Sequence, residues 1–206
     1  DAVMTEPVPE QLDALGWRDG PGITDSRVFV RAYRPTVDGR VMWTKAGGSL
    51  PYGGRMDPLM NRPSQTEAQM REILRHLYPS LADAPISGMW TGPIDRSKNG
   101  LPRFGALSGR RDILFGYGYS GSGLVLSRMG SRMLASLALE NDDEWSRAGL
   151  VAAPGRDFPP EPFRYVGGHA VRAAIARKDK LDHQGRKPDP ITKYLLRYKP
   201  PSYKPT

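Results

Sequence analysis

From Asp112 to Leu139 three kinds of sequence follow one another without a break. An apolar run centred on Ile113, Leu114 and Phe115 leads into the hexapeptide Gly118-Tyr119-Ser120-Gly121-Ser122-Gly123, and then into a stretch from Leu124 to Leu139. In that last stretch Leu126, Met129, Met133, Leu134 and Leu137 fall at helical spacing, with Gly130 and Ala135 allowing close packing. The order predicts a strand, a tight loop and a helix. Glycines let backbone approach a ligand closely. The first turn of the following helix presents unpaired N–H groups and the positive end of its dipole. Such a place suits an anion or a polarised carbonyl oxygen. The spacing is G-x-x-G-x-G, the reverse of the dinucleotide fingerprint, and the lysine of a P-loop is absent. The pattern alone therefore reads either as a structural turn or as a ligand site.

The rest of the chain is loop-rich. Among 206 residues, 23 are glycine and 20 are proline. That is about a fifth of the chain, below the roughly 25–30% of disordered low-complexity sequence. Pro7–Trp17 is read as a connecting stretch, Val28–Tyr33 and Val41–Lys45 as strands, and Val37-Asp38-Gly39-Arg40 as the hairpin turn between them. Ser64–Leu77 is the clearest helix, with Ser64 and Glu67 at capping-box spacing and Met70, Ile73, Leu74 and Leu77 on one face. Ile86–Trp90 is a further strand, Phe158–Pro162 a proline-rich linker and Val166–Leu181 a last helix. The opening, Asp1–Thr5, is apolar and abrupt, and reads as the middle of a longer chain.

Composition removes several chemistries. With no cysteine, thiolate zinc sites, iron–sulfur clusters and cysteine nucleophiles are excluded. The three histidines, His76, His169 and His183, do not lie at metal-ligand spacing, so no metal centre is expected and all three are read as exposed. Asp142, Asp143 and Glu144 read as a solvated acidic end. No apolar run approaches a membrane span and no signal peptide opens the chain, so the expectation is a soluble, cytoplasmic protein without a membrane partner.

The formal net charge of +8 is concentrated. Ten basic and three acidic residues follow Ala170, interleaved with Tyr194, Tyr198 and Tyr203 and with several prolines. The expectation is a solvated, partly extended tail. A nucleic-acid domain should carry its cations within folded elements, so nucleic acid is not the expected partner. The competing reading is a non-enzymatic binding or assembly subunit whose basic tail contacts nucleic acid or an acidic partner.

Leu114–Leu139 resembles the C-terminal flavin loop and helix of the D-amino-acid oxidase-like FAD-dependent oxidoreductases, a family that includes glycine oxidase, sarcosine oxidase and gamma-glutamylputrescine oxidase. Three upstream segments are similar to that family in the same order. They are Met4-Thr5-Glu6-Pro7 with Pro9, Tyr33-Arg34-Pro35-Thr36 with Asp38-Gly39-Arg40 and Gly47-Gly48, and Trp90-Thr91-Gly92-Pro93 with Asn99-Gly100-Leu101-Pro102-Arg103-Phe104-Gly105. Pro160–Arg177 resembles the tail of some bacterial members. The chain departs from the family pattern at Ser122, where many members carry histidine, and at Asn99, where many carry aspartate.

The resemblance implies an α+β fold. Residues 1–105 would be a substrate-domain segment of antiparallel strands. Residues 106–145 would be the C-terminal strand–glycine loop–helix of an FAD-binding, Rossmann-like domain, and 146–206 a basic, proline-containing extension. It implies FAD as cofactor, with Gly118, Tyr119, Ser120, Gly121, Ser122, Gly123, Leu124 and Val125 beside the flavin. Backbone amides from Gly121 to Val125 would face the flavin C2 carbonyl and N1. It implies oxidation of the C–N bond of an amine or amino-acid substrate by hydride transfer to flavin N5, with Tyr33, Arg34 and Trp90 around the substrate. Arg34 reads either as a carboxylate clamp or as an exposed strand residue, Trp90 either as a pocket wall or as a core aromatic, and Lys45 either as a base near the flavin or as an exposed strand lysine. No residue is assigned a catalytic role. The family's N-terminal dinucleotide-binding unit, with its G-x-G-x-x-G, has no counterpart here. The expected partner is therefore that missing N-terminal half or a chain supplying it, and the 206 residues alone are expected to be inactive.

Overall fold

A computed structural model describes residues 1–56, 58–155 and 158–199. The chain forms a mixed α+β structure of two compact units, one built from residues 1–93 and 161–199 and the other from 94–160 in its described part.

The first unit is organised by a five-stranded antiparallel sheet. Its strands are β1 (Ala2–Thr5), β2 (Ile23–Thr24), β3 (Arg31–Pro35), β4 (Val41–Lys45) and β5 (Ile86–Trp90), in the order β2-β3-β4-β1-β5. Side chains alternate across a strand, so the register sorts them into two faces. Tyr33 pairs with Trp43, Trp43 with Val3 and Val3 with Met89, which puts all four on one side. That side is covered by α1 (Pro9–Ala14) and α2 (Glu67–Leu77) through Leu12, Met70, Ile73 and Leu74. Trp43 donates its indole N–H to the Met70 carbonyl at 3.0 Å, so even the polar atom of this buried ring is satisfied. Trp17 stacks on Tyr78, ring centroids 4.9 Å apart, and closes the same core.

Several expectations shift for local reasons. Pro7–Trp17 is a short helix and a core aromatic, not a connector, because Val8, Leu12 and Trp17 are all buried. The strand expected from Val28 begins at Arg31. Asp25 accepts the amides of Arg27 (3.3 Å) and Arg31 (3.0 Å), folding the intervening apolar residues into a loop between β2 and β3. The Asp-Gly turn is as expected: Gly39 takes φ +78° and the Thr36 amide donates to the Arg40 carbonyl at 2.9 Å. The α2 capping box is Thr66 with Gln69, not Ser64 with Glu67. Ser64 is occupied elsewhere, donating its hydroxyl and amide to the Asp1 carboxylate at 2.7 and 3.0 Å.

The basic segment is helical in its described part. α4 (Phe163–His183) buries Ala174 and Ile175. α5 (Pro190–Leu195) is capped by the Asp189 side chain on the Thr192 amide, with Pro190 in the first turn where its missing N–H does no harm. A partly extended tail is therefore corrected for 170–195: apolar residues at helical spacing dock it on the first unit. Tyr203 and the last prolines lie outside the described residues.

In the second unit β6 (Arg103–Leu107) and β7 (Arg110–Tyr117) form a hairpin against α3 (Gly123–Ala138). The fully buried Phe104 is the pivot. Gly130 lets α3 close on it, since a Cβ there would lie 2.2 Å from Phe104 Cε1. Residues 150–152 continue the layer, with the Phe104 amide donating to Leu150 and the Ala152 amide to Phe104. Asp143 is not part of a merely solvated acidic end. It accepts the Ser136 hydroxyl at 2.6 Å and the amides of Trp145 and Ser146, which folds the chain after α3.

Candidate functional site

β7 delivers the chain to the loop Gly118–Ser122, and the loop delivers it to α3. The tight path needs left-handed backbone at Gly118 (φ +83°), Ser120 (φ +54°) and Gly121 (φ +96°). A non-glycine residue held at positive φ is stabilised by its surroundings. Ser120 has them: its amide donates to the Asp95 carbonyl (3.1 Å), and its hydroxyl donates to the Gly118 carbonyl (3.1 Å) and accepts the Ser97 amide (3.2 Å). The Gly118 amide donates to the Asp95 carboxylate. Asp95 and the buried Ser97 are thus the latch of the loop. Sequence reasoning missed both, because no local pattern announces a partner 23 residues away.

The latch leaves the front of the loop free. Ser122 sits at the N-cap of α3 yet makes no side-chain cap bond, and the first turn holds no acid. The amides of Gly123, Leu124 and Val125 have no acceptor among the described residues. Beside them is an open cavity of about 330 Å³ lined by Gly121, Ser122, Leu124, Val125 and Leu126. Its rim is apolar and exposed, with Leu124 at 95% and Val125 at 74%. Gly121 and Gly123 face open space, the nearest atoms to an added Cβ being 4.0 Å away. Of the eight residues from Gly118 to Val125, Gly121, Ser122, Leu124 and Val125 line this cavity, while Gly118 is buried. The Ser122 amide, expected to be free, donates to the Tyr119 carbonyl at 2.9 Å. α3 itself buries Gly130, Met133 and Ser136, while Met129 and Ala135, expected inside, are exposed.

In the first unit the sheet has a second face. Ala32, Thr44, Ala2 and Trp90 form one cross-strand row, and Arg34, Met42, Met4 and Gly88 the next. Arg34 and Trp90 are exposed on this face. Tyr33 is not brought to them. It points into the core at 1% exposure, edge-on to Tyr78. Lys45 falls on the core side of β4 and is half-buried. Burial lowers its ammonium pKa, repulsion from Arg172 and Arg31 adds to this, and Asp179 opposes it. His76, His169 and His183 are exposed. No cluster of three or more metal-ligating side chains occurs among the described residues, and no helix there is long and apolar enough to cross a membrane.

The loop has the features a flavin's electron-rich oxygen and nitrogen edge requires: uncapped amides, no competing carboxylate in the helix's first turn, and glycines where a side chain would fill the approach. Comparison with known proteins identifies the family. Residues 1–137 match the family described as FAD dependent oxidoreductase (DAO). The chain is 27% identical over 144 residues to the probable oxidoreductase OrdL of Haemophilus influenzae, covering 70% of this chain and 30% of that protein. It is 30% identical over 162 residues to the gamma-glutamylputrescine oxidoreductase of Escherichia coli, covering 77% and 34%. The fold is like that of glycine oxidase from Geobacillus kaustophilus, with a TM-score of 0.55 at 20% identity over 75% of this chain and 38% of that one. The chain thus spans about a third of the length of the curated relatives it matches.

Proposed function

The chain belongs to the family of FAD-dependent oxidoreductases, whose cofactor is FAD, and from that premise we propose that it contributes the flavin-facing loop and the substrate-side sheet of an enzyme oxidising the C–N bond of an amine or amino acid. The observation that carries the reading is the uncapped start of α3 behind the Gly118–Gly123 loop.

In this proposal residues 1–105 serve the substrate side, 106–145 the FAD side, and 146–206 an added basic segment. FAD, when bound, would supply the two-electron acceptor, with flavin N5 as its hydride-accepting atom. The rest is the work of this chain's own groups. The amides of Gly123, Leu124 and Val125 would donate to the flavin's electron-rich C2 carbonyl and N1 edge, where a helix N-terminus stabilises negative charge. Gly118 and Gly121 keep the backbone close and slim, while Tyr119, Ser120 and Ser122 complete the loop. Arg34 binds a substrate carboxylate, the geometry a guanidinium fork matches bidentately. Trp90 supplies an apolar wall. Tyr33, buried behind the sheet, holds the strand on which Arg34 sits.

The exposed apolar residues at both ends of α3, Leu124 at 95% and Leu139 at 71%, support a further protein surface against this helix. The matching length of the relatives supports its being the remaining part of the family's chain. Activity would then need that part. The test is to mix the flavin-loaded protein that carries this chain, without air, with a panel of amines and amino acids. Bleaching of the flavin with release of a carbonyl product is expected for some of them, and Arg34→Ala should raise KM most for carboxylated substrates. A flavin that no primary or secondary amine bleaches would overturn the reading.

A further inference from the structure

In the second unit the segment 95–97 runs beside the glycine loop, with Arg96 bridged antiparallel to Tyr119. We propose that Asp95 is a positioning residue for the flavin. It holds the loop on the one path that aims the first amides of α3, and so sets how strongly the protein prefers reduced FAD over oxidised FAD. The inference rests on the flavin site proposed above and adds to it the residue that tunes it.

Asp95 acts on the loop twice. Its carboxylate accepts the Gly118 amide, and its main-chain carbonyl accepts the Ser120 amide at 3.1 Å. The two bonds bracket a stretch with left-handed backbone at Gly118 (φ +83°) and Ser120 (φ +54°). A serine keeps such a conformation only where its surroundings hold it. Ser97 completes the frame. Its amide donates to the Ser120 hydroxyl at 3.2 Å, and a Cβ on Gly118 would lie 3.1 Å from its own Cβ, so the loop has no room to move that way. From here the path to the helix is short. The Ser122 amide donates to the Tyr119 carbonyl at 2.9 Å, and the Ser122 carbonyl accepts the Leu126 amide at 3.4 Å, opening the α3 ladder. A displacement at Gly118 is therefore carried to the amides of Gly123, Leu124 and Val125.

The consequence is electrostatic. Reduction adds negative charge near flavin N1, and the amides and positive end of α3 favour that charge. Their attraction depends steeply on distance and angle, so a loop that drifts weakens the reduced form more than the oxidised one. Position and charge act in opposite directions at Asp95. Loss of the loop's path lowers the flavin potential, whereas loss of a nearby anion by itself raises it. Asparagine separates the two, because it gives up the charge and keeps an oxygen that accepts the Gly118 amide. Asp95 is exposed, so neither alanine nor asparagine leaves a cavity in a core.

The experiment compares wild type, Asp95→Ala and Asp95→Asn in the flavin-loaded protein that carries this chain, by the flavin midpoint potential and by hydrogen exchange of the Gly118 amide. In Asp95→Ala the Gly118 amide should exchange about tenfold faster or more, with the sheet unit as protected as before. Reduced FAD should lose about tenfold more affinity than oxidised FAD, a fall of about 30 mV in the two-electron potential. Asp95→Asn should stay close to wild type in both. If Asp95→Ala does not fold, Ser120→Ala replaces it. That variant removes the hydroxyl's bonds to Gly118 and Ser97, and it should shift the potential the same way. Unchanged Gly118 exchange in Asp95→Ala, faster exchange at a wild-type potential, or a potential that rises in both Asp95 variants would each overturn the proposal. A wild-type protein that takes up no FAD would overturn the flavin reading itself and the proposal with it. The Gly118 exchange needs no flavin and reports on the latch alone, so the two failures are told apart.

Discussion

In the sheet unit Trp43 is fully buried beneath α2, with its indole N–H bonded to Met70; in the loop–helix unit Leu124 stands 95% exposed at the start of α3. Both are large apolar residues on regular elements. The first completes a core that draws on α1, α2 and three strands, Val3, Leu12, Tyr33, Val41, Met70, Leu74 and Leu81 all being close to fully buried beside it. The second helps complete nothing within its own unit, whose interior rests on Phe104, Gly130 and Met133 and on a polar latch. The contrast teaches where each unit's stability comes from. One spends its apolar residues on itself. The other turns them outward and fixes its shape with hydrogen bonds and glycines, as a surface meant to be covered must.

The largest effect should come from Trp43→Ala. It removes a buried ring and the indole hydrogen bond to the Met70 carbonyl, so a loss of about 3–5 kcal/mol is expected in chemical denaturation. Signals from β6 and β7 should change less than those from β4. Gly130→Val should come next, costing about 1–3 kcal/mol by pushing α3 off Phe104. Its signature is early exchange of α3 amides with the sheet unit still protected. An equal loss of protection in both units would erase the distinction between them.

A smaller, local effect should follow acidification. The Asp189 carboxyl is held down at about 2, from 3.8, chiefly by the amide and hydroxyl of Thr192 and further by Arg177. A depressed native pKa means stability that is complete above the ordinary value and lost as the pH falls towards the native one. α5 should therefore stay docked at pH 5 and fray between about pH 4 and 2, read from exchange of the Thr192 amide. The smallest effect should be Leu124→Ala, within about 0.5 kcal/mol for the chain by itself. In a larger protein that buries this residue, the same substitution should cost several times more.

What could be read from the sequence was what is local. The Gly39 turn, the strand–loop–helix order and the existence of α2 rest on residues close in sequence, and all three hold. Shifts arose wherever a distant group took a residue out of play. Ser64 lost its capping role to Asp1, and Val28–Val30 lost strand pairing to the turn around Asp25. The Asp95–Gly118 bond and the docking of α4 through Ala174 and Ile175 join segments far apart in sequence, and nothing in either segment names its partner. Tyr33 and Arg34 are neighbours in sequence, yet the pleat sends one to the core and the other to the opposite face.

The most direct test of the central claim, that the start of α3 holds the flavin's electron-rich edge, is the visible absorbance spectrum of the protein carrying this chain, wild type against Ser122→Asp. An aspartate at this N-cap should bond the helix's own free amides and stabilise α3 by about 0.5–2 kcal/mol, while placing a negative charge where the flavin edge belongs. The account predicts a yellow wild-type protein and a more stable variant that loses its flavin bands or takes up FAD far more weakly. A variant that is stabilised and retains wild-type flavin binding would contradict it.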